Sequence, residues 1–146
     1  MANVSHQMNL AAVQQLLTGP NGAVARDMLK RGLRVESRAK LELGRDPRRI
    51  NTGRLRADIR ARFHMINGAP AVRVGTSLKY ATYVHNGTGL YGPRHRMIVP
   101  VSKKVLRWKA HGPTGIPGKG GYVFSMKSRG MRPNPFLRKA LIAAKY

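Results

Sequence analysis

The chain has 146 residues, 42% of them apolar, and 28 lysines and arginines against five acidic residues give it a formal charge of +23. That length suits one domain with a modest core and that apolar content argues against wholesale disorder, while the charge calls for a polyanion or an acidic protein as partner. The absence of cysteine excludes disulfide frameworks and cysteine zinc sites and fits a reducing compartment.

No apolar run approaches the ~18 residues of a membrane span. With no basic amphipathic membrane helix and no lipid anchor in view, a membrane is the weakest candidate partner. The N-terminus has neither a basic stretch nor an apolar one behind it, so no secretory leader is expected. The charge is unevenly placed. Residues 1–25 have no Asp, Glu, Lys or Arg, whereas residues 26–62 hold thirteen of the 28 basic side chains. Residues 1–22 read as an arm that docks on something, a neighbouring copy included, and 23–146 as a single domain.

In chain order, Ser5 can cap a short helix through about Leu17, with Leu10, Val13 and Leu17 on one face. It is either a frayed terminal element or a packing surface for another subunit. Thr18-Gly19-Pro20-Asn21-Gly22 breaks the chain. A long helix follows from Ala23 to Leu43, with Val24, Met28, Val35 and Ala39 on its apolar stripe and Arg26, Lys30, Arg34, Arg38 and Lys40 over much of the rest. Only Asp27, Glu36 and Glu42 offset those charges, which favours a partner-facing role over a merely solvated face. Gly44 and Pro47 end the helix.

Arg45 to Asn51 is a basic loop, and Thr52 caps a short helix to Ile59, with Leu55 and Ile59 one turn apart. From Arg60 the period changes to two. Ala61, Phe63 and Met65 alternate with Arg60, Arg62 and His64, the pattern of a half-buried strand with a basic outer face. Asn67-Gly68 signals a hairpin, and Ala71 to Val74 is its return strand. The stretch 74–88 reads as strand, turn, short helix and turn, with Tyr80, Tyr83 and Val84 at helical spacing as core residues. It stops at Asn86-Gly87, a pair suited to left-handed backbone.

Beyond the loop 87–95, Arg96 to Val101 reads as a strand, Lys103-Lys104 as a turn and Val105 to Lys109 as the partner strand. Seven of the eleven residues from His111 to Gly121 are Gly or Pro, which marks a mobile loop, either a linker or an assembly contact. Tyr122 to Met126 is another strand. Asn134 as cap and Pro135 as first helical residue start a final helix with Leu137, Ala140, Leu141 and Ala144 as its stripe. The sum is an α+β domain: a long N-terminal helix, a mainly antiparallel sheet of about five strands, and a C-terminal helix packed on it. Leu55, Phe63, Val74, Tyr80, Tyr83, Val84, Trp108, Phe136 and Leu141 are its expected core.

Catalytic patterns are absent. The histidines at 6, 64, 85, 95 and 111 have no HxxxH spacing on a predicted helix and no acidic neighbour close in sequence, so no metal site is expected. The scattered carboxylates offer no acid–base pair, and the glycines of 112–121 do not form a phosphate-binding P-loop. The glycosylation triplets at Asn3 and Asn86 are chance matches without a leader. The expectation is no enzyme and no cofactor. Trp108, between Arg107 and Lys109, can stack on a base, but strand alternation points it inward as core.

Four segments occur in a particular order: NTGRLRADI (51–59), VGTSLKYATYVHNGT (74–88), MIVPVSKKVLRWK (97–109) and VFSMKSRGMRPNPFLRKAL (123–141). In this order they resemble the tail-completion, or head–tail joining, proteins of long-tailed bacteriophages. That family's pattern has TGxLR, YAxYVExGT, a strand pair rich in Ile-Pro and Lys, and a closing NPFLxxAL helix. His85 replaces the usual Glu, Ser128-Arg129-Gly130 replaces His-Pro-Gly, and the loop 111–121 is expanded.

The resemblance implies a structural virion protein of the neck or tail top, without catalysis, assembled in the host cytoplasm. Such proteins form a ring, typically a hexamer, that completes the tail as a terminator or joins it to the filled head. They contact neighbouring neck and tail-tube proteins, and viral double-stranded DNA passes through the lumen. Arg60, Arg62, Arg94 and Arg96 are the candidates for lining that lumen, with plain solvation as the alternative. Composition alone equally suits a nucleic-acid-binding protein of ribosomal or nucleoid type. A head-side adaptor, a stopper and a minor capsid protein are the alternatives within the virion. A small hydrolase would need a polar catalytic cluster that the chain lacks.

Overall fold

A computed structural model describes residues 8–45, 52–109 and 121–144. The predicted cap Ser5, most of the basic loop 45–51 and most of the Gly/Pro loop 111–121 lie outside the described residues. The chain is α+β, with three helices leading into a β-hairpin, a second β-ribbon further on and a helix near the end.

Helix α1 (Leu10–Thr18) starts at Asn9, whose Oδ1 accepts the Ala12 N–H at 3.2 Å. It leans on helix α2 (Ala23–Gly44) and on strand β2 (Ala69–Gly75) without burying any residue completely. The α2 residues that go under are Ala25, Gly32, Ala39 and Leu43. The face is therefore rotated slightly from the expected stripe. Ala39 is in it, Met28 and Val35 are half-buried, and Val24 is exposed. Small side chains line the contact because the hairpin lies close against it. A Cβ on Gly32 would collide with Cγ1 of Val72.

The hairpin pairs β1 (Arg60–Ile66) with β2 antiparallel, Ile66 opposite Ala69, around the two-residue loop Asn67-Gly68. Both loop residues have positive φ, 50° and 75°, as a twist-compatible two-residue turn requires. Ala61, Phe63, Val72 and Val74 are partly covered, while Arg60, Arg62, His64 and Arg73 are exposed. Met65, expected on the covered face, is exposed near the hairpin tip.

Between α2 and β1 lies the short helix α3 (Arg54–Asp58), entered through Gly53 at φ 71°. Helix α4 (Ala81–Asn86), a 3-10 turn over Gly89–Tyr91, strands β3 (Leu106–Lys109) and β4 (Tyr122–Ser125), and helix α5 (Phe136–Ala143) complete the described elements. Asn134 is one residue early for the expected cap. Pro135 holds that position, and no side chain caps the helix.

The main correction is to the sheet. Instead of about five strands in one sheet, the described residues form two separate two-stranded ones, β1–β2 and β3–β4. The Arg96–Val101 segment forms only an isolated bridge, Ile98 with Ser128, so β3 pairs with β4 instead. Two features explain the split. Pro100 has no N–H to extend a ladder. On the hairpin's outer edge, the Ala61 N–H is already taken by the Glu36 carboxylate at 2.7 Å. The C-terminal helix consequently packs on α2 rather than across a sheet.

The core joins Ala39, Leu43, Ile59, Phe136 and Ala140, with Val35, Leu55, Val74, Val84 and Leu137 against it. Leu55, Val74, Val84 and Phe136 are where the sequence puts them, and Phe63 is half-buried on the covered hairpin face. Tyr80, Tyr83, Trp108 and Leu141 are exposed instead. Helix α4 presents Ala81 and Val84 inward, and at ~100° per residue Tyr83 is carried ~200° round from Ala81. Trp108 stands on a two-stranded ribbon that pairs with no further strand among the described residues. Leu141 lies on the flank of α5 that turns away from α2, beside the exposed Ile142.

Candidate functional site

The exposed face of the hairpin gathers three arginines and a histidine. Arg60, Arg62 and His64 alternate along β1, so their Cα atoms step by ~6.7 Å. Arg73 stands directly opposite Arg62. With Asp58, Gly75, Thr76 and Ser77 they line a shallow hollow of about 270 Å³. Arg60, Arg62 and Arg73 make no ion pair among the described residues. Like charges held directly opposite destabilise a sheet, and an anion lying across them relieves that cost.

The one carboxylate in the hollow is committed elsewhere. Asp58 accepts from Thr76 Oγ1, from the Ser77 N–H at 2.7 Å and from Ser77 Oγ at 3.0 Å. The Thr76 hydroxyl, then the Ser77 amide, hold its carboxyl below the usual value. It clamps the end of β2 to the end of α3. Glu36 fastens the other side. It accepts from Lys40 Nζ at 2.6 Å and from the Ala61 amide. The Lys40 hydrogen bond lowers its pKa most, against the opposing effect of burial.

The four sequence candidates fall into two places. Arg60 and Arg62 line the hairpin hollow, whereas Arg94 and Arg96 line a separate groove beside α4. Sequence reasoning did not single out Arg73 or His64. The signal for Arg73 was present: a two-residue Asn-Gly loop dictates that Arg62 faces it.

The four segments quoted above converge. Ile59, at the end of the first, is fully buried in the core with Phe136 of the fourth. From the second, Val84 O accepts the Asn134 N–H at 2.9 Å, and the His85 ring meets Phe136 edge-on at 5.5 Å. His85, where a Glu was the pattern, thus packs on an aromatic ring while its Nδ1 lies 3.0 Å from Asn86 Oδ1. The Thr88 N–H donates to Met131 O at 2.9 Å, and Thr88 Oγ1 accepts the Met131 N–H at 2.9 Å. Ile98 of the third segment exchanges both backbone bonds with Ser128. Gly130, at φ 81°, has its α-carbon so close that a Cβ would overlap the Thr88 carbonyl.

Among the described residues no three His, Asp or Glu side chains come together to hold a metal. No helix among them is long and apolar enough to cross a membrane. No family model, no curated protein and no solved structure matches the chain.

Proposed function

We propose that this chain is a structural protein of a phage neck or tail top, acting as a ring that completes the tail and joins it to the DNA-filled head. The observation that carries the reading is the convergence of the four family-like segments on one body, through the Val84–Asn134, Thr88–Met131 and Ile98–Ser128 hydrogen bonds. Exposed Tyr83, Val99, Val101, Phe124 and Met126 add to it, because large apolar side chains left uncovered on one chain are what an assembly buries. In this reading the hairpin face with Arg60, Arg62 and Arg73 is turned to the DNA in the lumen. Its contacts are to phosphate, independent of sequence and screened by salt.

The test is electron microscopy of lysates from a phage in which this gene is silenced. Filled heads beside detached tails are expected. Intact infectious particles would remove the neck reading. The basic hairpin face also favours a second reading, a nucleoid- or ribosome-type protein that binds nucleic acid as a monomer. Fluorescence anisotropy with duplex DNA separates the two. Tight, steeply salt-dependent binding by the free monomer supports the second reading, and weak binding that strengthens only on assembly supports the first.

A further inference from the structure

Arg94 and Arg96 have a different setting from the hairpin arginines, and it points to a different ligand. They line a groove of about 610 Å³ whose apolar side chains include Tyr83, Met97, Ile98 and Val99. Tyr83 is 63% and Val99 56% exposed. Neither arginine has an ion pair among the described residues. Phosphate backbone gains nothing from an apolar wall, whereas a peptide segment with apolar side chains does. Two unpaired guanidinium groups alongside select carboxylates.

The groove is preformed. One wall, at Thr88 and Gly89, is held to Met131 and Arg129 through the Thr88 amide and that of the adjoining Leu90, each at 2.9 Å. The other wall hangs on the same segment, through the paired Ile98–Ser128 bonds at 2.9 and 2.8 Å. Both walls are therefore fastened to 128–131, and a ligand need not order them.

A second copy is a poor source of the carboxylates. Of the chain's five acidic side chains, Asp27 is paired with Arg31, Glu36 with Lys40 and Glu42 with Arg45, and Asp58 is held by Thr76 and Ser77. The fifth, Asp46, lies outside the described residues. We infer that the groove docks an acidic segment of a different protein, with apolar side chains against Tyr83, Ile98 and Val99 and carboxylates on Arg94 and Arg96. This goes beyond the neck reading and stands or falls separately from it.

The test uses the full chain and three short synthetic peptides: one with Glu residues flanking an Ile-Val-Phe centre, one with that centre replaced by serines, and one with the Glu residues replaced by Gln. Binding is read by anisotropy and located by the NMR shifts of Ile98 and Val99. The first peptide is expected to bind about tenfold more tightly than either control and to move both residues. Arg94→Glu with Arg96→Glu weakens it about tenfold or more, and Tyr83→Ser several-fold, with unchanged thermal melting. Failure of the first peptide to bind overturns the inference, as does equal binding of the serine peptide. Duplex DNA that moves Ile98 and Val99 and displaces the peptide assigns the groove to nucleic acid. Self-association that Tyr83→Ser abolishes assigns it to a second copy. Each of these also overturns the inference and leaves the electron-microscopy test untouched.

Discussion

Ile59 and Phe136 belong to the core, Trp108 and Phe124 to the β3–β4 ribbon, and all four are large and apolar. The first pair is 0% and 1% exposed, the second 42% and 52%. The hairpin, α2 and α5 enclose Ile59 and Phe136 from several directions, whereas β3 and β4 pair only with each other among the described residues. Burial here is decided by the number of layers, not by the residue, and a lone two-stranded ribbon cannot supply them. The closed body is where the free chain's stability resides. The open ribbon and the groove beside α4 are surfaces that other molecules can cover.

The contrast is tested most severely by truncation. Phe136→Ala should cost about 3–5 kcal/mol, and Trp108→Ala less than about 1 kcal/mol in the free chain. Urea denaturation measures both, and equal losses would mean that the ribbon is covered after all. Next comes Gly32, where α2 meets the hairpin. Gly32→Ala should destabilise by about 1–3 kcal/mol through the clash with Val72. Gly75→Ala, where a Cβ meets nothing within 4 Å, should stay within about 0.5 kcal/mol.

Acid provides a third measure. Glu36 and Asp58 both have folded pKa values below their ordinary 4.5 and 3.8. The unfolded chain therefore takes up protons first as pH falls. The stability these groups contribute is whole above about pH 4.5 to 5 and disappears as pH drops through their folded values. Glu36→Gln should flatten that acid limb and cost about 1 kcal/mol at neutral pH. An unchanged acid limb would show that the clamp between α2 and β1 does not hold the hairpin.

The smallest effect on folding is expected at the basic face. Arg62→Ala or Arg73→Ala should leave stability within about 0.5 kcal/mol. Each should reduce the salt slope of duplex DNA binding by about 1. An unchanged slope would take that residue out of phosphate contact.

Much of the closed body was legible. The helix periods, the Asn67-Gly68 loop and the alternation from Arg60 placed α2 and the hairpin within a residue or two, and Phe136 and Val74 inside. The basic hairpin face was legible for the same reason, since a period of two sorts Arg60 and Arg62 away from Ala61 and Phe63. The groove was not. It needs Arg94, Arg96 and Ile98 hung on Ser128, a contact thirty residues distant that no local pattern announces.

The sequence by itself determined the charge, the breaks at glycine and proline, the periods and hence which residues share a face. Those depend on backbone geometry repeated every few residues. Only the tertiary structure decided which faces are covered. Glu36 spends its carboxylate on the Ala61 amide, so that position of the hairpin's outer edge is not open to a further strand, and the described strands form two sheets where one was expected. Tyr83 and Trp108 are left outside, because burial of an apolar side chain depends on a neighbour that its own segment does not encode.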